Sequence, residues 1–169
     1  SIIQGSIEIS GQDLAGEITV SGDVKITELL DSEDNTGSSA DGLIINTDEN
    51  VLQTVTVDDN ISVNKPANGA GLTLDENISF DATGKTITLN GTSSSDLMIE
   101  MGATTQVSYL TVNSIEGTGT IHVPRGATLT YNTISSGIVI DAEEGAIIKA
   151  GNGQGTENEI SESQNVTGN

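Results

Sequence analysis

Paired acids recur at the ends of short apolar segments: Asp48-Glu49, Asp58-Asp59, Asp75-Glu76 and Glu143-Glu144. Two neighbouring carboxylates can hold a hard cation, share general acid and base work, or solvate a turn. Strands stack about 4.8 Å apart, and unscreened carboxylates aligned at that spacing repel. Ca²⁺, with its preference for oxygen ligands, would relieve the repulsion. Asp58, Asp59, Asp75 and Glu76 are the candidate ligands, because the two pairs occupy the same place in a repeated phrase. Neither the twelve-residue EF-hand loop nor the glycine-rich calcium-binding nonapeptide is present. The plainer reading is a set of solvated corners, and Asp31-Ser32-Glu33-Asp34-Asn35 is a looser version of the same feature.

Catalysis needs more than acids. Polysaccharide cleavage generally couples carboxylates to basic groups and aromatic platforms, whereas this chain has 5 Lys and Arg together, 2 Tyr, 1 Phe and no Trp. His122 and Arg125 read as a surface pair, with His122 turned away from Ile121 and Val123. With a single His and no Cys, a zinc site lacks ligands and no nucleophile triad assembles. The expectation is a protein that is not an enzyme and carries no cofactor beyond Ca²⁺.

Four sequons offer a different chemistry: Asn60-Ile61-Ser62, Asn77-Ile78-Ser79, Asn90-Gly91-Thr92 and Asn165-Val166-Thr167. Asn60, Asn77, Asn90 and Asn165 are thus candidate glycosylation sites. Asn at a corner has an alternative, stacking into an amide ladder between adjacent strands.

Acidic residues number 25, giving a net charge of −20. Phosphate backbones need cationic partners, so no nucleic-acid partner is expected, and anionic membranes are disfavoured too. The charge suits a cation-rich setting and discourages edge strands from aggregating. No segment reaches the length of a membrane-spanning helix, so no membrane insertion is expected. A chain beginning at Ser1 without Met fits a mature protein whose leader has been removed, or a shortened one. The composition points to an extracellular or cell-surface location.

The elements that would position these residues are strands. Thr56-Val57-Asp58-Asp59-Asn60-Ile61-Ser62-Val63 returns as Thr73-Leu74-Asp75-Glu76-Asn77-Ile78-Ser79-Phe80, and Gly5 to Gly11 is echoed by Gly16 to Gly22. Each copy alternates apolar and polar residues around a turn, which is the half-buried strand pattern. Residues 1–30 read as an N-terminal strand extension, 31–42 as a polar loop, 43–150 as the body and 151–169 as a polar tail. Strands are expected at 43–46, 53–57, 61–63, 72–74, 78–80, 86–89, 97–101, 107–112, 120–123, 128–131, 138–140 and 146–149. Gly-Ala pairs at Gly102-Ala103, Gly126-Ala127 and Gly145-Ala146 form a second phrase. The fold class is all-β, an irregular parallel β-helix (β-solenoid) with about seventeen to twenty-four residues per coil. An antiparallel β-sandwich or jelly roll is the alternative.

Gly126-Ala127-Thr128-Leu129 and Val57-Asp58-Asp59-Asn60-Ile61 carry a class-level resemblance. From Leu43 to Gly151 the chain resembles the parallel β-helices of secreted polysaccharide lyases, autotransporter passengers and microbial surface proteins. The resemblance implies an elongated, secreted, stackable body and transfers no catalytic residue. The functional expectation is a non-catalytic, self-assembling extracellular structural protein, a subunit of a sheath, surface layer or filament. Its partner is itself, through Ile7, Ile9, Ile18 and Val20 of the N-terminal strands and through a tail ordered by a neighbouring subunit. The alternative is an adhesin or phage-fibre-type module contacting glycans or a cell-surface receptor, against which the shortage of aromatic platforms counts. A polysaccharide lyase comes third.

Overall fold

Alternating side chains dictate the architecture. In Gln53–Val57 every second residue is buried, and the same alternation runs through Ile61–Asn64, Ile138–Ala142 and most of Ser108–Val123. A computed structural model describes residues 2–9, 16–29, 41–102, 107–151, 157–159 and 164–167. Among them there is no helix, and the strands join one sheet. In chain order these are β1 Ile2–Ile9, β2 Gly16–Leu29, β3 Asp41–Thr47, β4 Gln53–Val57, β5 Ile61–Asn64, β6 Asn68–Leu74, β7 Ile78–Asn90 and β8 Leu97–Met101. There follow β9 Ser108–Val123, β10 Ala127–Tyr131, β11 Thr133–Ile134, β12 Ile138–Ala142, β13 Ile147–Ala150, β14 Glu157–Glu159 and β15 Gln164–Thr167.

All described pairings are parallel except β12 with β15 and β13 with β14. The antiparallel sandwich is therefore not the arrangement the body adopts. Parallel neighbours cannot be joined by a hairpin, and here the chain travels through three rows before returning to the first. One row pairs β2, β3, β6, β8, the end of β9 and β12. The second pairs β2, β4, the start of β7, the start of β9, β10 and β13. The third pairs β5, the end of β7, the middle of β9 and β11.

Inward residues stack into apolar columns. Leu43, Leu72, Ile99, Ile121 and Ile140 lie in successive register on the first row. Val55, Phe80, Leu110, Leu129 and Ile148 do so on the second, and Ile61, Ile87, Ile115 and Ile134 on the third. Most of these are fully buried, each worth roughly 1.5–3 kcal/mol of transfer free energy. Aliphatic side chains fill most of such a core, with Phe80 and Tyr131 the buried aromatics, because each column needs only one residue per circuit.

Two expectations are corrected. The circuit is longer than the repeated phrase suggests through much of the body: Leu72 sits 27 residues before its partner Ile99, and Ser79 30 before Tyr109. Only later does it shorten to 19 residues, as in Ser108 to Ala127. The strands expected at 78–80 and 86–89 are one element, β7, and those at 107–112 and 120–123 merge into β9, which begins at Ser108. Gly84, at φ +77°, turns β7 between rows, and Gly117, at φ +91°, turns β9. β2 is hydrogen-bonded to β1 and, along successive stretches, to β3 and β4. The loop at 31–40 lies outside the described residues.

Candidate functional site

The acidic corners separate once the rows are known. Asp58-Asp59-Asn60 joins β4 to β5, from second row to third, whereas Asp75-Glu76-Asn77 joins β6 to β7, from first row to second. The two copies of the phrase thus turn different corners, and their carboxylates do not stack. Asp48-Glu49 is the pair that neighbours Asp75-Glu76: the Asp75 N–H donates to the Ile45 carbonyl at 2.9 Å, and Asn77 Nδ2 to the Glu49 carbonyl at 3.3 Å. Asp59 Oδ1 accepts from the Asn60 N–H at 2.8 Å, and Asp75 Oδ1 from the Glu76 N–H at 3.0 Å. These acids hold turns. Among the described residues no three of His, Cys, Asp and Glu converge as metal ligands, so the proposed Ca²⁺ set of Asp58, Asp59, Asp75 and Glu76 is not assembled.

The sequon asparagines also divide. Asn77 is 6% exposed at φ +68°, a left-handed conformation that Asn tolerates better than most residues. A glycan on its buried, donating amide would require the corner to open. Asn60 is exposed and its Oδ1 accepts from the Thr86 N–H of β7 at 2.9 Å, a tie to the next circuit. Asn90 Nδ2 donates to Asn64 Oδ1 at 2.9 Å, and Asn132 Nδ2 to Asn113 Oδ1 at 2.6 Å, each a one-step amide ladder. Asn165 is exposed on β15.

The side-chain cluster of greatest chemical interest surrounds His122. Ile121 and Val123 are buried in β9, so alternation turns the imidazole outward. Register places Glu100 of β8 opposite it on one side and Asp141 of β12 on the other. Nδ1 lies 2.9 Å from Glu100, and Nε2 lies 3.2 Å from Glu143 Oε1. Burial pushes the imidazole pKa down, but the hydrogen bonds and charges of Glu100 and Glu143 outweigh it, leaving it above the ordinary 6.5. The expected partner Arg125 instead follows β9 and lies across Gly145, where a Cβ would come 2.6 Å from its Cγ. Nothing local in the sequence marks Glu100 and Glu143 as partners of His122, because contact depends on the circuit length.

Beside this cluster is an open groove of about 350 Å³, lined by Ser94, Ser95, Thr120, Val139, Asp141 and Asn165. It is hydroxyl-rich, and the Thr120 hydroxyl already donates to the Ser94 carbonyl.

The candidate assembly residues have mixed placements. Ile18 and Val20 lie on β2, paired with Ile45 and Thr47 of β3, inside the sheet and away from its edge. Ile7 and Ile9 lie on β1, opposite Ile26 and Leu29. Among the described residues β1 pairs only with β2, β14 only with β13 and β15 only with β12. Of the tail, residues 157–159 and 164–167 pair within the chain as two short antiparallel strands. No protein-family model, curated protein or solved structure matches the chain.

Proposed function

We propose that the chain is a β-solenoid body serving as a non-catalytic, self-assembling structural protein of an extracellular surface, joined to further copies by strand pairing at its two ends. The observation that carries the reading is the match between those ends. β1 runs over two rows, with Ile2 and Ile3 beside Thr19 and Val20, and Gly5 to Ile9 beside Val24 to Leu29. At the other end β15 lies on the first row and β14 on the second. A copy's β1 could therefore lie along both strands of its neighbour, antiparallel to them, satisfying N–H and C=O groups that an edge otherwise presents to water. Such a head-to-tail contact does not close on itself and propagates. A net charge of −20 opposes the approach of two copies, so screening by salt or divalent cations would favour assembly.

Electron microscopy of concentrated protein with and without residues 1–9 tests the reading. Filaments or sheets from the full chain, lost on the deletion while the far-ultraviolet circular dichroism is kept, are expected. A full chain that remains monomeric at high concentration and high salt would overturn it. The groove at Ser94, Thr120, Asp141 and Asn165 favours a second reading, a glycan-binding adhesin or fibre module, which glycan-array binding by a strictly monomeric protein would support.

A further inference from the structure

We propose that His122 is a proton-operated tie across three successive circuits, in which only the imidazolium bonds to Glu100 and Glu143 at once. Glu100 belongs to β8, His122 to β9 and Glu143 to the turn after β12, three adjacent strands of the first row. An ionised carboxylate only accepts hydrogen bonds, and a neutral imidazole has one N–H and one lone pair. With both ring nitrogens facing carboxylates, at 2.9 Å and 3.2 Å, either neutral tautomer sets a lone pair against a carboxylate oxygen. The imidazolium donates on both sides, and each bond is charge-assisted.

The charged groups that face the ring are Glu100 from β8, Asp141 from β12 and Glu143 from the turn beyond it, while Arg125, from the turn after β9, lies over Gly145. β15 adds Asn165 opposite Asp141 and no charge there. The facing carboxylates favour the proton, while the ring's burial to 21% exposure opposes it through desolvation. The two carboxylates meet opposite edges of the ring and cannot converge on a metal ion.

The folded-state pKa lies above the unfolded value of 6.5, so the tie is fully present below that value. It is lost as pH rises through the folded pKa. Releasing Glu143 loosens the end of β12, and with it the pairing of β12 to β15.

His122 is the only histidine, so its ring carbon-bound protons give one unambiguous NMR titration. The full chain should titrate above 6.5, E100Q and E143Q should each lower the midpoint, and the double variant should lower it further. Amide exchange at 138–142 and 164–167, compared with H122Q at the same pH, should be slower below the midpoint and equal above it. A midpoint at or below 6.5, or one that neither glutamine variant moves, would overturn the proposal, as would exchange identical to H122Q at every pH.

Discussion

Replacing Phe80 by Ala removes the only phenylalanine from the second-row column. Its side chain is 1% exposed, with Val55 in register on one side and Leu110 on the other. Main-chain pairing holds those neighbours at the strand spacing, so the walls cannot close fully around the void. Phe-to-Ala substitutions in such settings cost about 3–5 kcal/mol through lost transfer energy and the residual cavity. For a chain of this length that corresponds to a fall in melting temperature of roughly 6–20 °C. Ser79, the adjacent residue, is half-buried and turned outward, and Ser79→Ala should stay within about 0.5 kcal/mol. Urea and thermal unfolding followed by circular dichroism measure both. Equal effects of the two substitutions, or a Phe80→Ala cost under about 1 kcal/mol, would refute the inward and outward assignment of β7.

Gly84→Ala should cost about 1–2 kcal/mol, because φ +77° is unfavourable for an L-residue even though nothing lies within 4 Å of the new Cβ. Gly117→Ala should cost more, since at φ +91° its Cβ also meets the Leu89 carbonyl oxygen at 2.1 Å; the same unfolding assays rank the pair. Asp96 Oδ2 accepts from the Thr92 hydroxyl and the Thr92 and Ser93 amides at 2.8–2.9 Å, and its pKa is held below 3.8, chiefly by the Thr92 hydroxyl. Stability from this turn is therefore present above 3.8 and lost as pH falls through the lowered folded value. An acid-unfolding series should show that pH dependence in the parent and a smaller one in Asp96→Asn.

Strands are legible because alternation is a local signal: β4, β5 and β10 lie where their apolar residues recur every second position. Their rows are not, since row membership depends on how many residues each circuit spends in its turns. The copies at 56–63 and 73–80 look equivalent yet turn different corners. The Gly-Ala phrase identified a true circuit, with the Gly126 N–H donating to the Gly145 carbonyl at 3.2 Å. The middle of β9 was missed because Gly117 and Gly119 interrupt its alternation. Type and spacing pick out Asp59 and Asp75 but cannot show that each Oδ1 accepts from the next amide, which depends on how the corner turns. Closeness in sequence pairs His122 with Arg125, whereas Glu100 reaches it only across the stack.

A disulfide between copies tests the proposed end-to-end strand pairing most directly. The chain has no native cysteine. Ser6 of β1 and Asn158 of β14 lie at opposite ends of the series β1, β2, β4, β7, β9, β10, β13, β14. At strand spacing that is about 33 Å, far beyond the roughly 7 Å between Cα atoms that a disulfide can span. In the double variant Ser6→Cys, Asn158→Cys, mild oxidation should give a ladder of trimers and longer species on a non-reducing gel, with single-cysteine variants stopping at dimers. A double variant that yields only monomers and dimers would contradict the account.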